Sequence, residues 1–147
     1  MITVQSEAEF EVAADALWRL VRAFDAMASW NPSVRKSRIE DGPPDRIGCL
    51  RVLEFDDGGT WTHRLTGLSD EDMRLQYRIV AGPPGAPVVL RDYRAEMLVE
   101  ALTDRAQPAC RLHWQAWFET DQPEVMQARA RQVFAAGFEG LRRALVT

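Results

Sequence analysis

The chain changes twice between the alternation of a strand and the three-to-four spacing of a helix. Val4, Ser6, Ala8, Phe10 and Val12 share one side of the first segment, with Thr3, Gln5, Glu7, Glu9 and Glu11 on the other. A period of two with the acids on one side predicts a half-buried strand. Leu17, Leu20, Val21 and Phe24 then recur at helical spacing, which predicts a short amphipathic helix with Asp15 placed to cap it. A second short helical turn is expected over Ala26 to Trp30, stopped by Asn31-Pro32 because proline disfavours helix in the residue before it.

From Val34 to Thr120 the period is two again. Arg35, Ser37 and Ile39 oppose Lys36, Arg38 and Glu40. A strand over Gly48 to Phe55 runs into Asp56-Asp57-Gly58-Gly59, a strong hairpin signal. Trp61, His63 and Leu65 share the next face, followed by Met73, Leu75, Tyr77 and Ile79, then Tyr93, Ala95, Met97 and Val99, then Leu112, Trp114, Ala116 and Phe118. Gly82 to Pro87 is expected to form a rigid loop. Trp117 interrupts the polar outward side of the last strand. Helical spacing returns in Met126, Ala130, Val133, Phe134, Gly137, Phe138, Leu141 and Leu145. About 22 residues of such helix make a rod of roughly 33 Å.

These elements predict an α+β domain: a curved, seven-stranded antiparallel sheet, two short helices after the first strand, and a long C-terminal helix across the apolar face. A twisted sheet cannot close on a single helix everywhere, so an internal cavity is expected. Gly137 and Gly140 in mid-helix read as further room for it.

Composition narrows the function classes. The 147 residues are 46% hydrophobic and 27% charged with a formal charge of -4, as in a water-soluble single domain and not a nucleic-acid surface. No run approaches the roughly 20 apolar residues that span a bilayer, and the N-terminus has no signal-peptide pattern; a cytoplasmic protein without membrane insertion, monomer or homodimer, is expected. Cys49 and Cys110 stand far apart and His63 and His113 are the sole histidines, so neither a metal site nor a cofactor is predicted. The expected partner is a small hydrophobic molecule.

Candidate chemistry follows from the inward faces. Trp61, Met97, Trp114, Phe118 and Phe134 would supply apolar walls, and Tyr77 and Tyr93 inward hydroxyls. His63 has the ordinary pKa of an acid–base group, although burial between Trp61 and Leu65 would favour its neutral form. Arg35 has inward parity; it either seeks an anionic ligand or, near a strand end, reaches solvent. For Arg51 alternation alone does not choose a face.

Phe24-Asp25, Trp30-Asn31-Pro32-Ser33-Val34, Ile39-Glu40, Ile47-Gly48 with Arg51, Asp57-Gly58, Arg64-Leu65, Tyr77-Arg78-Ile79, Gly82-Pro83, Tyr93-Arg94-Ala95 and Trp114-Gln115-Ala116 resemble the polyketide cyclase/dehydrase branch of the Bet v 1-like START superfamily (SRPBCC proteins). The resemblance spans nearly the whole chain and implies the helix-grip fold. The segment Phe24 to Arg51 is also distantly similar to the plant abscisic-acid receptors. That resemblance places Arg35 at a ligand-facing lysine, Arg51 at a pocket arginine and Tyr93 at a pocket tyrosine, but His63 stands where an inward glutamate is usual and the receptors' gate and latch motifs are absent.

Two readings result. The first is a binder of a hydrophobic, aromatic or polyketide-like ligand with an acidic or carbonyl oxygen near Arg35, Arg51 and His63. The alternative is a cyclase/dehydrase-type enzyme with His63 as general base. A partner surface around Trp117 is a third possibility.

Overall fold

The computed structural model describes residues 1–83 and 90–146. Strand β1 (Ile2–Phe10) leads to helix α1 (Ala14–Arg22) and a 3-10 turn (Met27–Ser29). Then come β2 (Val34–Ile39), β3 (Leu50–Phe55), β4 (Thr60–Ser69), β5 (Arg74–Ala81), β6 (Leu90–Leu102), β7 (Ala109–Thr120) and helix α2 (Pro123–Leu145). The strands form one antiparallel sheet ordered β1-β7-β6-β5-β4-β3-β2, the helix-grip arrangement. Residues 84–87 of the expected rigid loop lie outside the described residues.

Two local expectations are corrected. The second short helix is a single 3-10 turn, closed by the Trp30 and Asn31 N–H groups donating to the Met27 carbonyl, and Asn31-Pro32 stops it from lengthening. Asp15 does not cap α1: the cap position is Ala13, and Asp15 lies within the first turn, where its carboxylate faces the positive end of the helix dipole.

The core is built around Trp114, which is 1% exposed. Its ring stacks on Phe134 at 4.6 Å and meets the edges of Phe138 and Trp30 at 6.0 and 6.2 Å. Gly137 and Gly140 do not open space, contrary to the sequence-based expectation. A side-chain carbon at Gly137 would run into the Trp114 ring, and one at Gly140 would overlap the backbone carbonyl of Trp30. The glycines let α2 press against these two tryptophans.

Register irregularities decide which side chains point into the grip. In β2, Val34 pairs with Phe55 but Lys36 with Glu54, so Arg35 is the extra residue of a β-bulge. In β6, Arg91 pairs with Glu119 and Arg94 with Trp117, with Asp92 in the left-handed region at φ 53°. That added residue lets Leu90 and Tyr93, three apart, both face inward.

Candidate functional site

A pocket of about 440 Å³ lies between the sheet and α2, within the range of about 300–1,000 Å³ typical of small-molecule sites. Its lining runs from exposed Asp56, Asp57 and Arg129 to buried Tyr77, Trp114 and Phe134, so the mouth lies between the β3–β4 hairpin and α2. Arg129 and Asp57 face each other across it at 3.7 Å, an exposed pair worth little by itself.

Seven of the expected site residues line this pocket: Trp61, His63, Tyr77, Tyr93, Trp114, Phe118 and Phe134. Three do not. Arg35 leaves the inward row through the β2 bulge and its guanidinium, half exposed, binds Glu54 at 2.8 Å on the outside. Met97 has the predicted inward parity but lies further along β6 in the packed core, 2% exposed. Arg51 is inward and 3% exposed, yet it is set behind His63 instead of on the pocket wall.

Arg51 and His63 pair directly across β3 and β4. The Arg51 Nε and Nη2 groups both reach His63 Nδ1, at 3.2 and 3.0 Å, and Nη1 donates to the Phe24 carbonyl at 3.4 Å. The guanidinium carbon lies 4.1 Å from the centre of the Phe24 ring and 4.8 Å from that of Tyr77, two cation–π contacts. No carboxylate pairs with it among the described residues. Burial pulls its pKa down to about 10, so it is charged at neutral pH.

That contact fixes the imidazole tautomer. A guanidinium has only donors, so Nδ1 must accept and the proton of the neutral ring sits on Nε2. Burial first, and the Arg51 charge second, hold the His63 pKa well below its ordinary value. The ring stacks on Tyr77 at 4.8 Å, interplanar angle 13°. Its Nε2 has no hydrogen-bond partner among the described residues, and His63 lines the pocket.

The other polar groups share this character. Trp114 Nε1 donates to the Tyr77 hydroxyl at 3.3 Å, leaving the hydroxyl proton free to donate. Burial raises the pKa of Tyr77, and raises that of Tyr93 well above its ordinary value with the neighbouring Tyr77 adding to the effect; both stay protonated. Asn31 is 2% exposed and lines the pocket; its Oδ1 accepts from the Ser33 N–H at 3.0 Å while Nδ2 has no partner among the described residues. Sequence reasoning missed Asn31, since Asn-Pro reads there as a helix stop. It also passed over Met126, Ala130 and Val133 as lining, although they belong to the same apolar stripe of α2 as Phe134.

A pH prediction follows from the buried neutral imidazole. In the unfolded chain His63 titrates near its ordinary pKa of about 6.5, whereas in the fold it resists protonation. As pH falls below that value the unfolded state binds the proton first, so stability is lost by up to about 1.4 kcal/mol per pH unit. Urea unfolding between about pH 6.5 and 5 should show this slope, and His63→Gln should flatten it. An equal slope in the variant would assign the proton to another group.

Comparison with solved structures gives the same architecture. A protein called XoxI from Bacillus cereus superposes with TM-score 0.85 at 20% identity, covering 99% of this chain and 96% of that one. A START superfamily protein from Mycobacterium smegmatis gives 0.78 at 14% identity, over 97% and 96% of the two chains. The major latex-like protein 151 of Panax ginseng gives 0.82 at 10%, over 99% and 98%. In sequence, 69 residues are 35% identical to the abscisic acid receptor PYL7 of Arabidopsis thaliana, covering 45% of this chain but only 32% of the receptor. The family described as polyketide cyclase / dehydrase and lipid transport matches residues 1–146, and the chain belongs to that family.

Proposed function

We propose that the protein binds a small hydrophobic molecule carrying an acceptor oxygen in the pocket between the sheet and α2. The observation that carries this reading is the uniform polarity of the polar groups inside the pocket. His63 Nε2, the Tyr77 and Tyr93 hydroxyls and Asn31 Nδ2 can all donate, among apolar and aromatic walls. An unpaired buried donor costs about 1–3 kcal/mol, which a ligand oxygen would recover. Family membership and fold support hydrophobic ligand binding in general terms; the acceptor oxygen is inferred from this chain's own residues.

The cyclase/dehydrase reading with His63 as general base has less support. Its Nδ1 lone pair is held by Arg51 and its Nε2 carries the proton, so the ring is set to give a hydrogen bond, not to take a proton. The abscisic acid named for the plant relative is an acid with a hydrophobic body; the short overlap with that receptor supports only the general class.

Calorimetric titration with 2-acetylnaphthalene and 2-ethylnaphthalene, alike in shape but differing in the carbonyl, tests the reading. The ketone should bind about tenfold more tightly, as one hydrogen bond of about 1.4 kcal/mol would give. Tyr93→Phe should reduce that advantage, and Arg35→Ala should leave it unaltered. Equal affinity for both compounds, or binding of neither, would contradict the proposal.

A further inference from the structure

Arg51 is a buried cation whose surroundings contain no negative group among the described residues. The segment after α1 gives it the Phe24 ring and carbonyl, β4 gives it neutral His63, and β5 gives it the Tyr77 ring. Cys49, just before β3, is a buried thiol whose pKa is raised chiefly by burial. Tyr93 on β6 lines the pocket beside Tyr77 and stays protonated. From α2 come the apolar Met126, Ala130, Val133 and Phe134. The nearest charges in the lining, Asp56, Asp57 and Arg129, are exposed at the mouth. The deep end therefore carries a net positive charge, one imidazole away from the space a ligand would fill. Leaving a buried guanidinium without a counter-charge is costly.

We propose that the pocket takes a weakly acidic ligand of the phenol class in its ionised form, and that binding releases the ligand's proton. This rests on the ligand-binding reading above and adds the charge state. On binding, the ligand O–H bond breaks, the electron pair stays on the oxygen, and the proton passes to buffer. The oxygen anion accepts from His63 Nε2, and Arg51 on Nδ1 polarises that donor. His63 thus acts as a neutral relay of the arginine's charge. A glutamate at this position would instead cancel that charge.

The test compares 4-nitrophenol, whose anion absorbs in the visible, with 4-nitroanisole, its methyl ether, which cannot ionise. The phenolate should bind at least about tenfold more tightly than the ether, and the bound phenol should ionise at least about one pH unit lower than in water. Calorimetry in two buffers of different ionisation enthalpy should record proton release. In His63→Glu the phenolate-to-ether ratio should fall below one. Equal binding of phenolate and ether by the unmodified protein, without proton release, would overturn the charge-state inference while leaving the pocket reading in place. Failure of both probes to bind would overturn the two together. The comparison in the unmodified protein stands even if His63→Glu does not fold.

Discussion

Replacing Arg51 with methionine is expected to make the protein more stable, by about 1–3 kcal/mol. The guanidinium is 3% exposed, has no carboxylate partner among the described residues, and has its pKa pulled down to about 10 by burial. That depression corresponds to an order of about 3 kcal/mol against the charged form. Methionine can fill the space between the Phe24 and Tyr77 rings with a flexible apolar chain. His63 Nδ1 loses its donors, which offsets part of the gain. Without the cation beside it, the imidazole should also protonate more readily in the fold, so less stability should be lost as pH falls below about 6.5. Urea unfolding at neutral pH measures the first effect. The same variant should lose the preference for an anionic ligand, separating stability from binding. A variant destabilised by several kcal/mol would mean that Arg51 is a structural residue.

Gly140→Ala should have a large effect of opposite sign. Alanine favours helix over glycine by about 1 kcal/mol, and on an open helix face the change would stabilise. Here the added carbon would overlap the Trp30 carbonyl oxygen and crowd Pro32, so α2 or the segment after the 3-10 turn must move. Forced overpacking costs about 1–3 kcal/mol and occasionally more; we expect a net loss of about 2 kcal/mol or more. Asn31 sits between those two residues, so ligand affinity should fall as well. Thermal unfolding together with a ligand titration checks both. A stabilised Gly140→Ala protein would show that the contact is loose and that the glycine serves no close approach.

The faces of the strands were legible because alternation survives wherever one side is buried. Trp61 with His63, Tyr77 with Ile79, and Trp114 with Phe118 point as the pattern predicts. The stripe on α2 was legible for the same reason. Arg35 was not, because the bulge that turns it outward arises from how β2 pairs with β3, and nothing in a single strand's sequence marks the extra residue. The face of Arg51 stayed open in alternation alone. Its burial is explained by its cross-strand partner, since His63 is directly opposite and supplies an acceptor. Gly137 and Gly140 were misread as slack because a glycine in a helix signals equally an empty space or a close approach. The tryptophans that come close are distant in sequence.

The unpartnered donors are a property of three-dimensional contact and have no signature along the chain. Asn31 looks like a helix stop, and the tautomer of His63 depends on a guanidinium from another strand. His113, by contrast, lies outside as its parity predicts, near Glu7 and Glu100 at 3.4 and 2.9 Å. Trp117 is half-buried on the outer side of β7 beside Arg94.

Nitrogen NMR of the His63 side chain decides whether the pocket offers a ring donor, because the two ring nitrogens report protonation separately. At neutral pH the ring should be neutral, with Nδ1 bare and Nε2 protonated, and the Nε2 signal should move when an oxygen-bearing hydrophobic ligand is added. A ring protonated on Nδ1, a ring charged at neutral pH, or an Nε2 signal indifferent to a ligand that demonstrably binds would refute a donor at this position.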